Sequence, residues 1–270
     1  MKQVSTPPVL RPLAVGEILD AAFAVYRRNV FALWKIVAVV VALPAALNGA
    51  LAVAQRQVGT SNNSSSGSLV VLELLFVVVT FVALALATAA AYRLVADAYL
   101  QRAVDPDASL RFGLKRIGSV MWVSIILGLG VICASIFLLI PGVYLYVAWS
   151  VAIPVLLAEN LRGTKALGRS RALVRGRFWP CLGVLALSFL LQFIVLFAII
   201  FVLAAIVDTT GNDTLLFFEQ SISTLISNTL VLPFQIAVTT VLYIDLRVRK
   251  EGFDVQLMAS ALEPGGAGET

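Results

Sequence analysis

Residues 69–95 read LVVLELLFVVVTFVALALATAAAYRLV, with Glu73 the only charged side chain before Arg93. A helix that crosses a bilayer needs roughly 20 mostly apolar residues. A surface helix of a soluble protein carries its apolar residues on one stripe, whereas this stretch is apolar all round. Its solvent is therefore hydrocarbon, and that reading sets the rest of the chain.

Five further segments follow the same logic: 31–54, 119–140, 143–158, 180–206 and 222–244. The fourth span, 143–158, is short, contains Pro154 and is separated from its predecessor by Pro141-Gly142. It reads as a re-entrant or strongly packed span. Pro44 and Pro233 mark expected kinks in the first and last spans. The composition agrees: 60% of the 270 residues are hydrophobic and 13% are charged, against about half and a quarter in a soluble domain.

Charge sets the expected orientation. Lys2, Arg11, Arg27 and Arg28 precede span one, and Lys35 lies just inside it. Arg93, Arg102, Arg111, Lys115 and Arg116 lie between spans two and three. Arg162, Lys165, Arg169, Arg171, Arg175 and Arg177 lie between spans four and five, and Arg247, Arg249 and Lys250 follow span six. Of the 20 basic residues only Arg56 is left for the opposite side, in QRQVGTSNNSSSGS (55–68). Short basic loops stay in the cytoplasm, so both termini are expected there, as an even number of spans also requires. No cleavable leader is legible, because Pro7, Pro8, Glu17 and Asp20 precede any long apolar run. The segment from Phe31 reads as a retained signal anchor.

The most basic stretch, RGTKALGRSRALVRGRFWP (162–180), has no acidic residue. At 100° per residue, Ala166, Leu167, Ser170, Leu173, Val174 and Phe178 fall in one arc of roughly 140°. Arg162, Lys165, Arg169, Arg171 and Arg175 take the other side, and Arg177 breaks the division. This is the pattern of a helix in the headgroup region, where each basic residue near an anionic surface contributes on the order of 1 kcal/mol. Before span one, Ile18, Leu19, Ala22, Phe23, Val25 and Tyr26 share a face opposite Glu17, Asp20, Arg27 and Arg28. Before span three, Leu110, Leu114, Ile117 and Met121 line up, and Asp107 or Ser109 offers a cap. The chain thus reads as three units, each an interfacial helix followed by a membrane hairpin. Sliding 16–31 onto 163–178 matches only Gly16/Gly163, Arg28/Arg175 and Phe31/Phe178, a repeated plan rather than a duplication.

The fold expected is an all-α polytopic integral membrane protein with six transmembrane helices and three cytoplasmic interfacial amphipathic helices. Residues 1–13 form a cytoplasmic leading segment, 14–258 the membrane domain and 259–270 a disordered tail. Candidate lipid-headgroup contacts are Lys165, Arg169, Arg171, Arg175 and Arg177, with anionic lipids the expected partners. Nucleic acid is not expected, because the basic residues cluster at span ends and no separate domain presents base-reading side chains.

Ionisable or amide side chains inside a membrane mark candidate sites. Glu73 and Asn48 lie at similar depth and are an expected pair. Gln192 and Gln235 are placed to bond between helices. At the inner span ends, Arg93 with Asp97, Glu159 with Arg162, and Asp245 with Arg247 or Arg249 are expected charge locks. No histidine is present, which removes the commonest general base and transition-metal ligand. Cys133 and Cys181 lie in apolar runs and suggest neither zinc nor a disulfide. No catalytic constellation, cofactor or metal is expected.

Three motifs together carry a resemblance: RPLAVGEILDAAFAVYRRNV (11–30), GRSRALVRGRFW (168–179) and LYIDLRVRKEGFDVQL (242–257). The chain resembles bacterial, especially actinobacterial, proteins of the glycerophosphoryl diester phosphodiesterase membrane-domain family over most of 11–258. The resemblance implies a six-span plasma-membrane protein of undefined activity. It does not bring the phosphodiesterase reaction, whose catalytic domain is a metal-dependent barrel using histidines. Arg11, Gly16, Glu17, Asp20, Arg27 and Arg28 match the first motif, and Asp245, Arg247, Arg249, Glu251, Gly252, Phe253 and Asp254 the last. The mixed charges of YIDLRVRKEGFD suggest docking onto the helix at 14–28 through a lock of Asp20, Arg27, Arg28, Asp245 and Arg249. The activities that fit are a lipid-interacting scaffold, a small-solute or lipid transporter with a polar path, or, less readily, an enzyme acting on lipid.

Overall fold

The computed structural model describes residues 11–60, 66–161, 163–206 and 212–252. Arg162, Asp208, the tail 259–270 and the end of the last motif from Phe253 onward lie outside them. The described residues form helices α1 (Val15–Arg28), α2 (Val30–Thr60), α3 (Ser66–Tyr99), α4 (Pro106–Phe137), α5 (Leu139–Ala148), α6 (Ala152–Ala158), α7 (Thr164–Val174), α8 (Phe178–Ile206) and α9 (Asp213–Glu251). Among the described residues there is no strand. Six stretches are long and apolar enough to cross a membrane, with α5 and α6 together making the fourth. The chain is a multi-pass helical membrane protein.

The fourth span is broken, not merely short: α5 ends at Ala148 and α6 begins at Ala152. The turn from span three into span four is at Leu138, which is extended (φ −161°, ψ 138°) between α4 and α5, ahead of Pro141, which sits in the first turn of α5 where its missing N–H is not needed. A Cβ on Gly142 would lie 1.9 Å from Ser135 Oγ, and one on Gly130 2.5 Å from the Trp149 ring. Glycine thus lets α5 fold back tightly on α4. Pro154 lies in the first turn of α6, again a tolerated position. Pro44 and Pro233 lie inside helices that continue through them.

The stretch before span three is not a separate helix but the first part of the 32-residue α4. Its cap is Asp105, not Asp107 or Ser109: Asp105 Oδ1 accepts from Asp107 N (2.9 Å) and Ala108 N (3.1 Å). Pro106 is the first helical residue, a favoured place.

The long α9 is the hub, packing on α1, α2, α3, α6, α7 and α8. Asn212 caps its start through Thr214 N and Leu215 N, and Gly252 ends it at φ 58°. α2 runs antiparallel to α9, and their approach depends on Gly49, where a Cβ would lie 2.5 Å from Phe217 O. Small residues at such crossings replace the hydrophobic drive that lipid removes. α1 stands along α8 and α9: Leu13 meets Asp245, Val15 lies by Gly183, and Tyr26 reaches Leu230 and packs edge-on to Phe234. Its buried face, Ile18, Ala22 and Val25, serves protein packing.

Burial is concentrated at the end of the bundle that carries the basic clusters, here the basic end. Ala89–Ala91, Val151–Leu157 and Val241–Leu246 are almost wholly enclosed there, whereas Val70–Val78, Ile132–Leu138 and Phe189–Phe201 contribute many exposed apolar side chains. That exposed surface is the part hydrocarbon solvates.

Candidate functional site

Polar side chains on α9 recur every fourth residue: Gln235, Thr239, Tyr243, Arg247 and Glu251. A spacing of four keeps them close to one line on the helix surface. At the basic end this stripe enters an ionic hub. Glu159, just beyond α6, accepts from Arg169 Nε (2.9 Å) and from Tyr243 Oη (3.1 Å). Arg169 also donates to Glu251, and Arg247 Nε donates to Glu251 (3.1 Å). The hydrogen bond from Arg169 to Glu159, reinforced by Glu251, pushes the guanidinium pKa above its usual value. The hub ties α6, α7 and α9 together. Glu159 was expected to pair with Arg162, which lies outside the described residues.

A second clasp joins α9 to the chain before α1. The Asp245 side chain, only 4% exposed, accepts from Leu13 N (2.7 Å) and Arg249 Nε (2.8 Å), while Arg249 Nη2 donates to Leu13 O (2.5 Å). The last motif thus meets the backbone of Leu13, just before α1, rather than the charged residues expected on the helix at 14–28. Asp20, Arg27 and Arg28 are exposed and form no ion pair among the described residues. Of the five proposed lock residues the structure brings together Asp245 and Arg249. Arg93 and Asp97 do pair along α3, at 3.6 Å.

The basic stretch splits into two roles. The buried face of α7 is Ala166, Leu167, Ser170, Leu173 and Val174, turned into protein; Ser170 Oγ donates to Ala148 O (2.9 Å). Lys250 Nζ caps the C-terminal end, donating to Ala172 O and Arg175 O, both at 2.6 Å. Arg169 is committed to the hub. Arg171 and Arg175 are exposed, have no carboxylate partner among the described residues, and border a groove of about 750 Å³ with Tyr144, Gly168 and Ala172. The Arg171 guanidinium lies 6.0 Å from the Tyr144 ring centre, a cation–π distance. Tyr144 stacks on Phe178 (5.6 Å), which meets Trp179 edge-on, and Trp179 is largely exposed. Lys165 is also exposed, and Arg177 is half-buried beside the groove's helix.

The intramembrane residues do not converge on one path. Glu73 is exposed and accepts from Gln55 (3.1 Å); Asn48 donates to Thr224 (2.7 Å). The expected Glu73–Asn48 pair is not formed, because Asn48 faces α9 while Glu73 looks along the outer flank of α2. Gln192 does donate to Gln235 between α8 and α9. This bridge separates two cavities. One, of about 230 Å³, is lined by Gln235, Thr239, Thr88, Tyr92, Tyr146 and Ser150 together with apolar side chains. The other, of about 220 Å³, lies among Phe23, Tyr26, Leu191, Gln192 and Phe234 and is almost wholly apolar. Among the described residues no three His, Cys, Asp or Glu side chains gather as a metal site.

Tyr92, Tyr146, Ser150 and Tyr243 were not singled out from sequence. The fourfold spacing on α9 was legible for Tyr243 and Thr239. Tyr92, Tyr146 and Ser150 come from two other spans, and only the packing brings them together.

Fold and site together define a polytopic helical membrane protein with an ionic clasp at one end and, beside it, a mainly apolar cavity that carries a few hydroxyl groups. The chain belongs to the family of the domain of unknown function DUF8558, whose model matches residues 112–263, from the first third of α4 past the end of α9. No curated protein and no solved structure matches it.

Proposed function

We propose that this protein is a lipid-interacting scaffold or accessory factor of a bacterial plasma membrane, with both termini cytoplasmic, and that the α5–α7 groove holds an anionic phospholipid headgroup. One observation carries the reading. Whereas Arg169 of α7 is neutralised by two carboxylates, Arg171 and, at the helix end, Arg175 keep their charges unmatched beside an aromatic ladder. Guanidinium groups suit phosphate by bidentate bonding, and the exposed Trp179 is the kind of side chain found at a membrane–water boundary. The basic clusters and the six spans support the orientation. The resemblance to the phosphodiesterase-associated membrane domains fits this architecture and adds no hydrolytic step.

A polar transport path is supported less. Glu73, Asn48 and the Gln192–Gln235 bridge lie apart, and each already has a protein partner.

The test is native mass spectrometry of protein released from nanodiscs containing equal phosphatidylglycerol and phosphatidylcholine. Arg171→Gln with Arg175→Gln should lower the retained phosphatidylglycerol several-fold. Equal retention by the double variant and the unaltered protein rules the groove out as a headgroup site.

A further inference from the structure

The cavity between α3, α4, the α5–α6 break, α8 and α9 presents hydroxyl groups that the protein leaves unused. Tyr92 is 6% exposed, lines the cavity, and has no hydrogen-bond partner among the described residues. Ser150 Oγ, at the break in the fourth span, is buried and likewise unpartnered. Thr88 and Tyr146 add two more hydroxyls without partners among the described residues. Gln235 accepts from Gln192, and its own amide N–H groups are not used. Buried polar groups are normally satisfied, so the unmet Ser150 Oγ, with the unengaged hydroxyls of Tyr92, Thr88 and Tyr146 around the same space, points to an occupant.

We propose that this cavity binds the head of an uncharged, hydroxyl-bearing amphiphile, a long-chain alcohol or a diacylglycerol, entering sideways from the hydrocarbon. The chemistry of the lining selects the class. Each of the four hydroxyls donates and accepts, so together they match a hydroxyl or ester head. No ionised side chain lines the space, and the charged groups close to Tyr92 are already paired: Glu159 and Arg247 in the hub and Asp97 with Arg93. A charged head would arrive without a counter-ion, which is costly in low dielectric. The remaining wall, including Leu127, Ile153 and Leu185, is apolar and suits the first carbons of a chain. About 230 Å³ accommodates such a head and little more. Tyr146 is 43% exposed, which places one rim on the lipid-facing surface and lets a tail remain in the bilayer. The Gln192–Gln235 bridge closes the opposite side.

The site is independent of the α5–α7 groove, and the experiment separates them. The full chain, in phosphatidylcholine nanodiscs, is melted while tryptophan fluorescence is followed, with 1-dodecanol, dioctanoylglycerol, dodecane or dioctanoylphosphatidylglycerol added. A ligand that binds only the folded state raises Tm in a saturable way. The alcohol or the diacylglycerol should do so and dodecane should not. Tyr92→Phe with Ser150→Ala removes unpaired hydroxyls without adding volume, so the variant folds; its apparent affinity should fall about ten-fold. Arg171→Gln with Arg175→Gln should leave the alcohol response intact while reducing any response to phosphatidylglycerol. Failure of both hydroxyl probes to raise Tm, meaning a cavity filled by water only, overturns the proposal. An equal response to dodecane, or an undiminished response in the Tyr92/Ser150 variant, overturns it as well.

Discussion

The two ends of this bundle are held by different forces. At the basic end, α1, α6, α7 and α9 are joined by carboxylates and guanidiniums with multiple partners, over an almost completely enclosed apolar core. At the far end, α2, α3 and α9 touch through a glycine crossing and a few polar ties: Asn48 to Thr224, Gln55 to Glu73, and Arg56 to Asp213 at 3.6 Å. The difference follows from solvent. Where headgroups and water compete for the chain, charges with matched partners add to the apolar faces of α1 and α7 in holding those segments to the bundle. Where hydrocarbon surrounds the helices, apolar burial gives no drive and contact shape decides.

The largest expected effect breaks the basic end. Asp245→Ala removes the acceptor for both Leu13 N and Arg249, leaving a backbone donor and a guanidinium unmatched in a nearly closed site. Breaking a buried pair by deleting one partner costs about 3–5 kcal/mol. Arg249 keeps some exposure, so a loss of about 3 kcal/mol is expected in unfolding from micelles. Proteolysis of the segment before α1 should accelerate with it. Stability unchanged within error would mean that packing of α1 on α8 and α9 holds that segment without the clasp.

At the far end the corresponding break is steric. Gly49→Ala adds one methyl, yet that carbon would lie 2.5 Å from Phe217 O, a main-chain atom that cannot rotate away. α2 and α9 must separate locally, an overpacking cost of about 1–3 kcal/mol. The same melting measurement checks it, and Gly16→Ala, where no neighbour lies within 4 Å, should show no such loss.

A smaller effect is expected midway. Gln192→Leu replaces an interhelical amide by a side chain that hydrocarbon accepts. Hydrogen bonds between membrane helices average about 0.6 kcal/mol, so the melting temperature should fall only slightly. The variant sharpens the comparison: a loss near that for Asp245→Ala would mean that the polar stripe of α9, not the basic-end clasp alone, organises the bundle.

Much of this architecture was legible in the residues. Uninterrupted apolar runs identify spans because lipid demands them, and the arc of Ala166, Leu167, Ser170, Leu173 and Val174 identified the face of α7 that is buried. What that face meets was not legible. An apolar arc opposite arginines is common to a helix floating in headgroups and to one packed on protein. Periodicity also gives no register between helices, so Asn48 and Glu73, equal in depth, face different neighbours. The Asp245 clasp was hidden for another reason: its partner is the main chain of Leu13, and a backbone N–H has no residue type to read. The division between Arg169 and its neighbours Arg171 and Arg175 depends on carboxylates 10 and 82 residues away from Arg169.

The smallest expected effect tests the entrance to α1, a tie at the basic end that is exposed rather than enclosed. Glu17 accepts from Ala14 N (2.7 Å) and from Arg11 Nη2 (2.5 Å). The Ala14 N–H, and then Arg11, hold its carboxyl below the usual 4.5. A lowered value in the folded chain means that the unfolded segment takes up its proton first. The contribution is therefore complete above 4.5 and is lost as pH falls through the lower folded value. Asp245 is enclosed whereas Glu17 is open to water, so acid should loosen the helix start without releasing α1. Hydrogen exchange at Ala14 N, corrected for the intrinsic pH dependence, should lose protection on acidification below that range, while Ile18 and Ala22 keep theirs. Glu17→Gln should remove the pH dependence. If protection at Ala22 collapses together with that at Ala14, the exposed cap and the enclosed clasp act as one unit, and the distinction drawn within the basic end is wrong.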